Sequence, residues 1–443
     1  MKKGILGKIL VACLTLALLV PAVIGCSSGS GATTTAATST ATTAATTATT
    51  TQTAATTAAT TTAAQHEIRI GVMGGMTGPA AQAIVPMFKD YENMFKYINE
   101  IEGGIEGAKL VWKFVDNKGT PDGAIQAYKE LRDTFQPTIY LAVEDYYLAG
   151  AKATIEADKS TIITTSAMMG ALFAPAGRFF CTTAPTADTV SGYANYINQN
   201  WTGDKNPKLG ILYWDLPSGM AWKAAETWIK GQGVDIVPVS YPYATLDFKP
   251  QLMQLRDAKV DYVYGMTNVQ QNSIIVRDYR SLGLTFPICF CEMGSATDLL
   301  AIVGDQAEGF YELRYESPAS DNSEAAQLYS AIEKWANGTE KWSDNRLQII
   351  FKGVLTNAVK QAVADVGWDK LDNEAMYQAL NKLTSINTWG NCSAFGYGPD
   401  KRIGSSTIKI KQYTKTGTVS VSDWVTMPDV FARAALAAAS ANK

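Results

Sequence analysis

The chain has 443 residues, 47% hydrophobic and 18% charged, with a net charge of -3 at neutral pH. That is a globular composition without a basic tract, which excludes nucleic acid as the expected partner. The single histidine, His66, precedes the region that can build a core, which excludes a Ser-His-Asp or Cys-His pair and a histidine-based zinc site within the body.

In chain order, the first element is a short basic start (Lys2, Lys3, Lys8) threaded into an apolar run over residues 5–24. A small residue then precedes Cys26, the pattern of an export signal. Val23-Ile24-Gly25-Cys26 resembles the bacterial lipobox, which makes residues 1–25 a lipoprotein signal peptide and Cys26 the lipidated N-terminus of the mature chain. An uncleaved membrane helix and ordinary cleavage are the alternatives, because the run approaches the ~20 residues that span a bilayer. Residues 32–64 are Thr and Ala except for Ser39 and Gln52. Such a stretch buries too little apolar surface to offset the entropy of ordering, so residues 26–66 are expected to be a disordered, lipid-anchored tether. As a coil it would hold the body on the order of 30 Å from the membrane.

Strand and helix signals then alternate. Ile68, Ile70 and Val72 mark a strand, a Gly-rich loop follows, and Tyr91, Phe95 and Ile98 form the apolar face of a helix closed by Gly103 and Gly104. Leu110, Trp112 and Phe114 mark the next strand. Thr120 and Pro121 serve as N-cap and first residue of a helix that buries Ala124, Tyr128, Leu131 and Phe135. Strand 138–143, helix 147–158 and strand 161–165 continue the series. The pattern restarts with strand 209–213, a helix through Trp222, Ala225 and Ile229, strand 234–239, a helix through Leu252 and Leu255, strand 260–266, a helix through Ile275, Tyr279 and Leu282, and strand 286–291. Short strands joined by amphipathic helices predict right-handed βαβ units, and two such runs predict an α/β protein of two doubly wound parallel-sheet lobes. Helices at 322–336, 344–366 and 374–383 follow. Strands at 407–413 and 419–421 close as a hairpin around Gly417. Four cysteines lie in the body: Cys181, Cys289, Cys291 and Cys392. Three full pairings are possible, and burial as small hydrophobes is an equal expectation.

Several segments carry a resemblance. They are Ile70-Gly71-Val72 with Met76-Thr77-Gly78-Pro79, Ile98-Asn99-Glu100, Gly103-Gly104-Ile105, residues 115–121, residues 307–311, and residues 395–400. In this order and spacing, the chain resembles the type I periplasmic binding proteins, specifically the solute-binding proteins for branched-chain amino acids of ABC transporters. The resemblance implies two lobes joined by three crossover segments with a ligand cleft between them, residues 67–187 with 317–390 forming lobe 1 and 188–316 with 391–435 lobe 2. It implies a monomer with no cofactor, no metal and no catalytic activity. It implies capture of a small molecule of the amino acid, amide or aromatic acid class, and delivery to a membrane permease and ATPase. A ligand-binding sensor on the same fold is the alternative.

Elementary topology places a ligand at the carboxyl ends of parallel strands. Carried over by position from the family resemblance, the candidates there are Thr77, Tyr146, Tyr147, Ser166, Ala167, Met168, Trp214, Asp215, Thr267 and Glu292. By the resemblance, Ser166 and the main chain at Ala167 and Met168 would hold a ligand carboxylate, and Glu292 would pair with an ammonium. Glu144-Asp145-Tyr146-Tyr147 departs from the family pattern, where a small hydroxyl residue follows the third strand. This places aromatic rings or an acidic pair where leucine relatives would meet a hydroxyl.

Overall fold

A computed structural model of the chain describes residues 66–78, 81–145, 147–167, 170–216, 218–293, 296–316, 323–336 and 347–432. These belong to one compact unit, residues 62–443. The signal segment, Cys26, the tether, Tyr146 and Met168 lie outside the described residues.

The first run builds a five-stranded sheet. Its strands are β1 (Glu67–Gly74), β2 (Lys109–Asp116), β3 (Ile139–Ala142), β4 (Ile162–Thr164) and β5 (Phe179–Cys181), in the order β2-β1-β3-β4-β5 and parallel throughout. Helices α1 (Ala81–Glu100), α2 (Pro121–Glu130) and α3 (Lys152–Ala157) connect them. The chain then enters α4 (Thr186–Asn200) and a second sheet. Its parallel part is β6 (Lys208–Trp214), β7 (Asp235–Tyr241), β8 (Tyr262–Met266), β9 (Ile288–Phe290) and β10 (Tyr311–Arg314), linked through α5 (Glu226–Gly231), α6 (Lys249–Asp257), α7 (Val269–Ser281) and α8 (Ala296–Val303). Helices α9 (Glu324–Trp335), α10 (Leu347–Val366) and α11 (Asn373–Lys382) come next, the first two packed on α1. A third pass returns to the second sheet as β11 (Thr407–Tyr413), antiparallel to β10, with β12 (Thr418–Ser420) and β13 (Val425–Thr426) antiparallel to β11. The architecture is thus α/β with two lobes, and the chain passes three times between them.

The helical faces read from periodicity are the buried ones. Tyr91, Phe95 and Ile98 are at most 1% exposed, and Trp222, Ala225, Ile229, Leu252, Leu255 and Ile275 are buried in the same way. Thr120 accepts a hydrogen bond from the Gly123 N–H, with Pro121 at the first helical position. The chain closes α1 through Gly103 and Gly104 at positive φ, and a Cβ on Gly104 would stand 2.1 Å from the Ala108 carbonyl oxygen.

Four elements differ from the sequence expectation. The helix expected through Trp222, Ala225 and Ile229 is a 3-10 stretch at Gly219–Ala225 followed by the short α5. Strand β5 is only three residues long, below the length at which alternation is visible. Helix α4 carries buried Thr186, Asp188, Thr189, Ser191 and Gly192, so it presents no apolar stripe to count. The helix expected over 147–158 is a 3-10 turn at Ala149–Ala151 followed by the short α3, because Gly150 interrupts it. The four body cysteines are buried free thiols, and burial pushes Cys181 and Cys291 up to about 12.

Candidate ligand-binding site

At the carboxyl edge of the first sheet, three carboxylates organise the loops. Asp116 ends β2 and accepts from the N–H groups of Met76 (2.9 Å), Thr77 (3.2 Å) and Lys118 (2.8 Å), and from the Thr77 hydroxyl (2.6 Å). Burial works to raise this carboxyl, but the bonds from Thr77, Lys118 and Met76 outweigh it and hold it below its ordinary value. Glu144 follows β3 and accepts from the Gly75 N–H (2.9 Å) and the Asn117 side-chain amide (3.3 Å). Asp145 accepts from the Ser166 hydroxyl at 2.7 Å. Glu144 and Asp145 are 3% and 0% exposed. Ala167 is buried among the apolar side chains of this lobe, and Tyr147 is half-buried against them.

At the carboxyl edge of the second sheet, Trp214 ends β6 and is buried. Its Nε1–H donates to Ser218 Oγ (3.0 Å), and its ring meets Tyr243 edge-on at 5.5 Å. Gly219 permits this turn: a Cβ there would lie 2.0 Å from the Trp214 carbonyl oxygen. Asp215 is exposed, and its N–H donates to the Tyr241 carbonyl. Thr267 is fully buried and donates to Asn272 Oδ1 and the Gly265 carbonyl.

Glu292 follows β9. Its Oε2 is buried and has no hydrogen-bond partner. Burial and, secondarily, the charge of Glu316 push Glu292 up to about 7, against the opposing effect of Arg314. Tyr264 meets the Thr189 hydroxyl of α4 at 3.2 Å.

Beside Glu292 lies a buried charge network that the sequence reading did not anticipate. Arg314 donates to the Glu292 carbonyl (3.4 Å), to Glu316 Oε1 (3.3 Å) and to Glu312 Oε2 (3.2 Å). Tyr413 donates to Glu312 at 2.9 Å, and Lys411 lies 3.9 Å from it. Glu316 is 2% exposed, and its Oε2 has no partner. Glu312-x-Arg314-x-Glu316 has the period-two spacing that puts all three side chains on one face of a strand, and this was the signal available in the sequence.

The candidates therefore form two groups. Thr77, Tyr147, Ser166 and Ala167 stand at the edge of the first sheet, and Trp214, Asp215, Thr267 and Glu292 at the edge of the second. The hydroxyls of Thr77, Ser166 and Thr267 are each engaged within their own lobe. A small pocket lined by Phe173, Asp188, Arg402, Ser405 and Phe431 lies apart from both groups, beside the segments that pass between the lobes. Among the described residues, no group of three or more His, Cys, Asp and Glu side chains is placed to hold a metal.

Residues 67–417 match the family model described as periplasmic binding protein. A protein named Leu/Ile/Val-binding protein homolog 3, from Brucella melitensis, is 25% identical over 336 residues, covering 74% of this chain and 89% of that protein. Among solved structures, a branched chain amino acid ABC transporter protein from Thermus thermophilus with bound valine superposes with a TM-score of 0.73 at 20% identity, over 83% of this chain and 98% of that one. A solute binding protein of an ABC transporter from Rhodopseudomonas palustris, in complex with 3,4-dihydroxy benzoic acid, superposes at 0.63 and 19% identity, over 82% and 98%. With the family model spanning most of the chain and two parallel sheets presenting polar groups at their carboxyl edges, the chain belongs to the periplasmic binding protein family, an extracytoplasmic family of solute-binding proteins.

Proposed function

We propose that the protein is the solute-capturing component of an ABC importer, acting as a monomer that closes its two lobes on one small organic molecule and presents the loaded form to a permease and its ATPase. Glu292 carries this reading: a buried carboxylate oxygen without a partner, at the carboxyl end of a parallel strand, is a group that a bound ligand would satisfy. The ligand belongs to the amino acids, amides or aromatic acids, and is contacted by Thr77, Tyr146, Tyr147, Ser166, Ala167, Met168, Trp214, Asp215, Thr267 and Glu292. Lobe 1 comprises residues 67–187 and 317–390, lobe 2 residues 188–316 and 391–435. No cofactor takes part, and the ligand leaves unchanged. A signal peptide over residues 1–25, lipid on Cys26 and the Thr/Ala tether keep the body at the outer face of the cell membrane, where it meets its permease.

The test is a thermal-shift screen followed by calorimetry. Stoichiometric binding with chemically unchanged ligand on recovery is the expected result, and turnover of the ligand would replace capture with catalysis. Cys26→Ser should move the protein from the membrane to the soluble fraction.

A further inference from the structure

Several hydrogen-bond donors at the carboxyl edge of the first sheet are engaged by the chain's own anions. The Gly75 N–H and the Asn117 amide serve Glu144, the Ser166 hydroxyl serves Asp145, and the Met76 and Thr77 N–H groups with the Thr77 hydroxyl serve Asp116. An incoming carboxylate would have to displace these bonds and then stand beside the carboxylates it had dispossessed. Like charges brought together where water is excluded repel more strongly than in bulk water, so such a ligand is disfavoured.

The edge of the second sheet has the same sign. Glu292 and Glu316 each hold a buried carboxylate oxygen with no partner, and the Glu316 side chain is 3% exposed. Both follow parallel strands at the same edge, and Arg314 bridges the Glu292 main chain to the other oxygen of Glu316. Arg314 also donates to Glu312; of the three carboxylate oxygens here without a hydrogen-bond partner, Glu312 Oε1 has the Lys411 ammonium at 3.9 Å, which leaves Glu292 Oε2 and Glu316 Oε2. At the described strand ends and the loops that follow them, the acidic side chains Asp116, Glu144, Asp145, Asp215, Asp247, Glu292 and Glu316 stand against two basic ones, Lys118, which is exposed, and Arg314, which is held by Glu312 and Glu316. The aromatic groups at these edges are Tyr147, Trp214 and Tyr243, rings whose faces attract cations.

We infer that the ligand is an organic cation without a free carboxylate, an amine or quaternary ammonium whose charge is received by Glu292 and Glu316. This rests on the solute-capture reading and narrows its ligand class to amino-acid amides and related amines. The two unpartnered oxygens supply the attraction, and the occupied donors of the first lobe supply the discrimination against amino acids themselves.

Leucine and leucinamide test this directly, since they share the ammonium and the side chain and differ in the carboxylate. Calorimetry on the purified full-length protein would compare them with phenylalaninamide, 1,4-diaminobutane, tetramethylammonium and benzoate. The expected result is stoichiometric binding of at least one cation, with leucine or benzoate at least tenfold weaker. Glu316→Gln and Glu292→Gln should each weaken that cation at least tenfold, with folding checked by the thermal midpoint. Glu316→Gln serves as the second probe if Glu292→Gln fails to fold. Folded variants of both positions that bind the cation as tightly as the parent protein overturn the assignment. Tight binding of leucine or benzoate with no cation bound overturns the inference and leaves solute capture standing. Binding of none of the six overturns both.

Discussion

Glu292 and Asp188 are carboxyls that burial pushes up to about 7. Glu292 faces Tyr264, Glu316 and Arg314. Asp188 faces Asp429 and accepts the N–H group of Phe431 at 2.9 Å. Each binds its proton more tightly in the folded state than in the unfolded chain. Their contribution is therefore fully present below the ordinary carboxyl range and is lost as pH rises through about 7. The ligand-free protein should show a falling thermal midpoint between pH 5 and pH 8, and Glu292→Gln with Asp188→Asn should flatten that slope. Binding of a cation at Glu292 requires the ionised form, so affinity should fall as pH is lowered below 7, by up to about tenfold per pH unit, measurable by calorimetry at pH 8 and pH 6. Arg314 is a separate case. Arg314→Met would leave Glu312 and Glu316 buried without their shared counter-ion, at a cost of about 3–5 kcal/mol in chemical denaturation.

Among the elements, the clearest sequence signals were those that local chemistry dictates. The Thr120-Pro121 start of α2 is such a case, and Thr120→Ala should cost about 1 kcal/mol, read from denaturation midpoints. Gly104 is another. Its positive φ and the 2.1 Å approach of the Ala108 carbonyl to a would-be Cβ mean that Gly104→Ala should destabilise by more than about 1 kcal/mol. Helix α4 stayed hidden for a physical reason. It is packed on several sides, so its buried positions include Thr, Ser, Asp and Gly; Ser191 donates to the Ala187 carbonyl and Thr189 to the Thr186 carbonyl, while Asp188 accepts from the distant Phe431 N–H. A helix of that kind has no hydrophobic periodicity to detect. Strand β5 escaped because three residues are held in place by β4 beside them rather than by their own pattern.

At the scale of the whole molecule, a ligand that binds only the folded protein stabilises it by mass action, by about 2.7 kcal/mol at a hundredfold excess over Kd. The cation identified by calorimetry should raise the thermal midpoint accordingly, and the rise should shrink in Glu316→Gln. The candidate site was legible in part. Strand ends are predictable from the alternation of elements, and the family resemblance then nominated Thr77, Ser166, Trp214, Asp215, Thr267 and Glu292 at those ends. Which hydroxyls face inward, and which carboxylates have already taken the donors, were not legible in the sequence.

The amino-acid sequence alone determined the alternating strands and helices, the division into two parallel runs, the cap and turn positions, the near-absence of histidine and the lack of a basic tract. These are properties of composition and of contacts within a few residues. Only the tertiary structure decided the convergence of charge. Gly75 meets Glu144 across 69 positions, Tyr413 meets Glu312 across 101, and Tyr397 meets the Cys181 carbonyl across 216. Contacts of that separation leave no period in the chain, because they are set by which strands lie side by side, and that is fixed when the sheets and the three passes between them assemble.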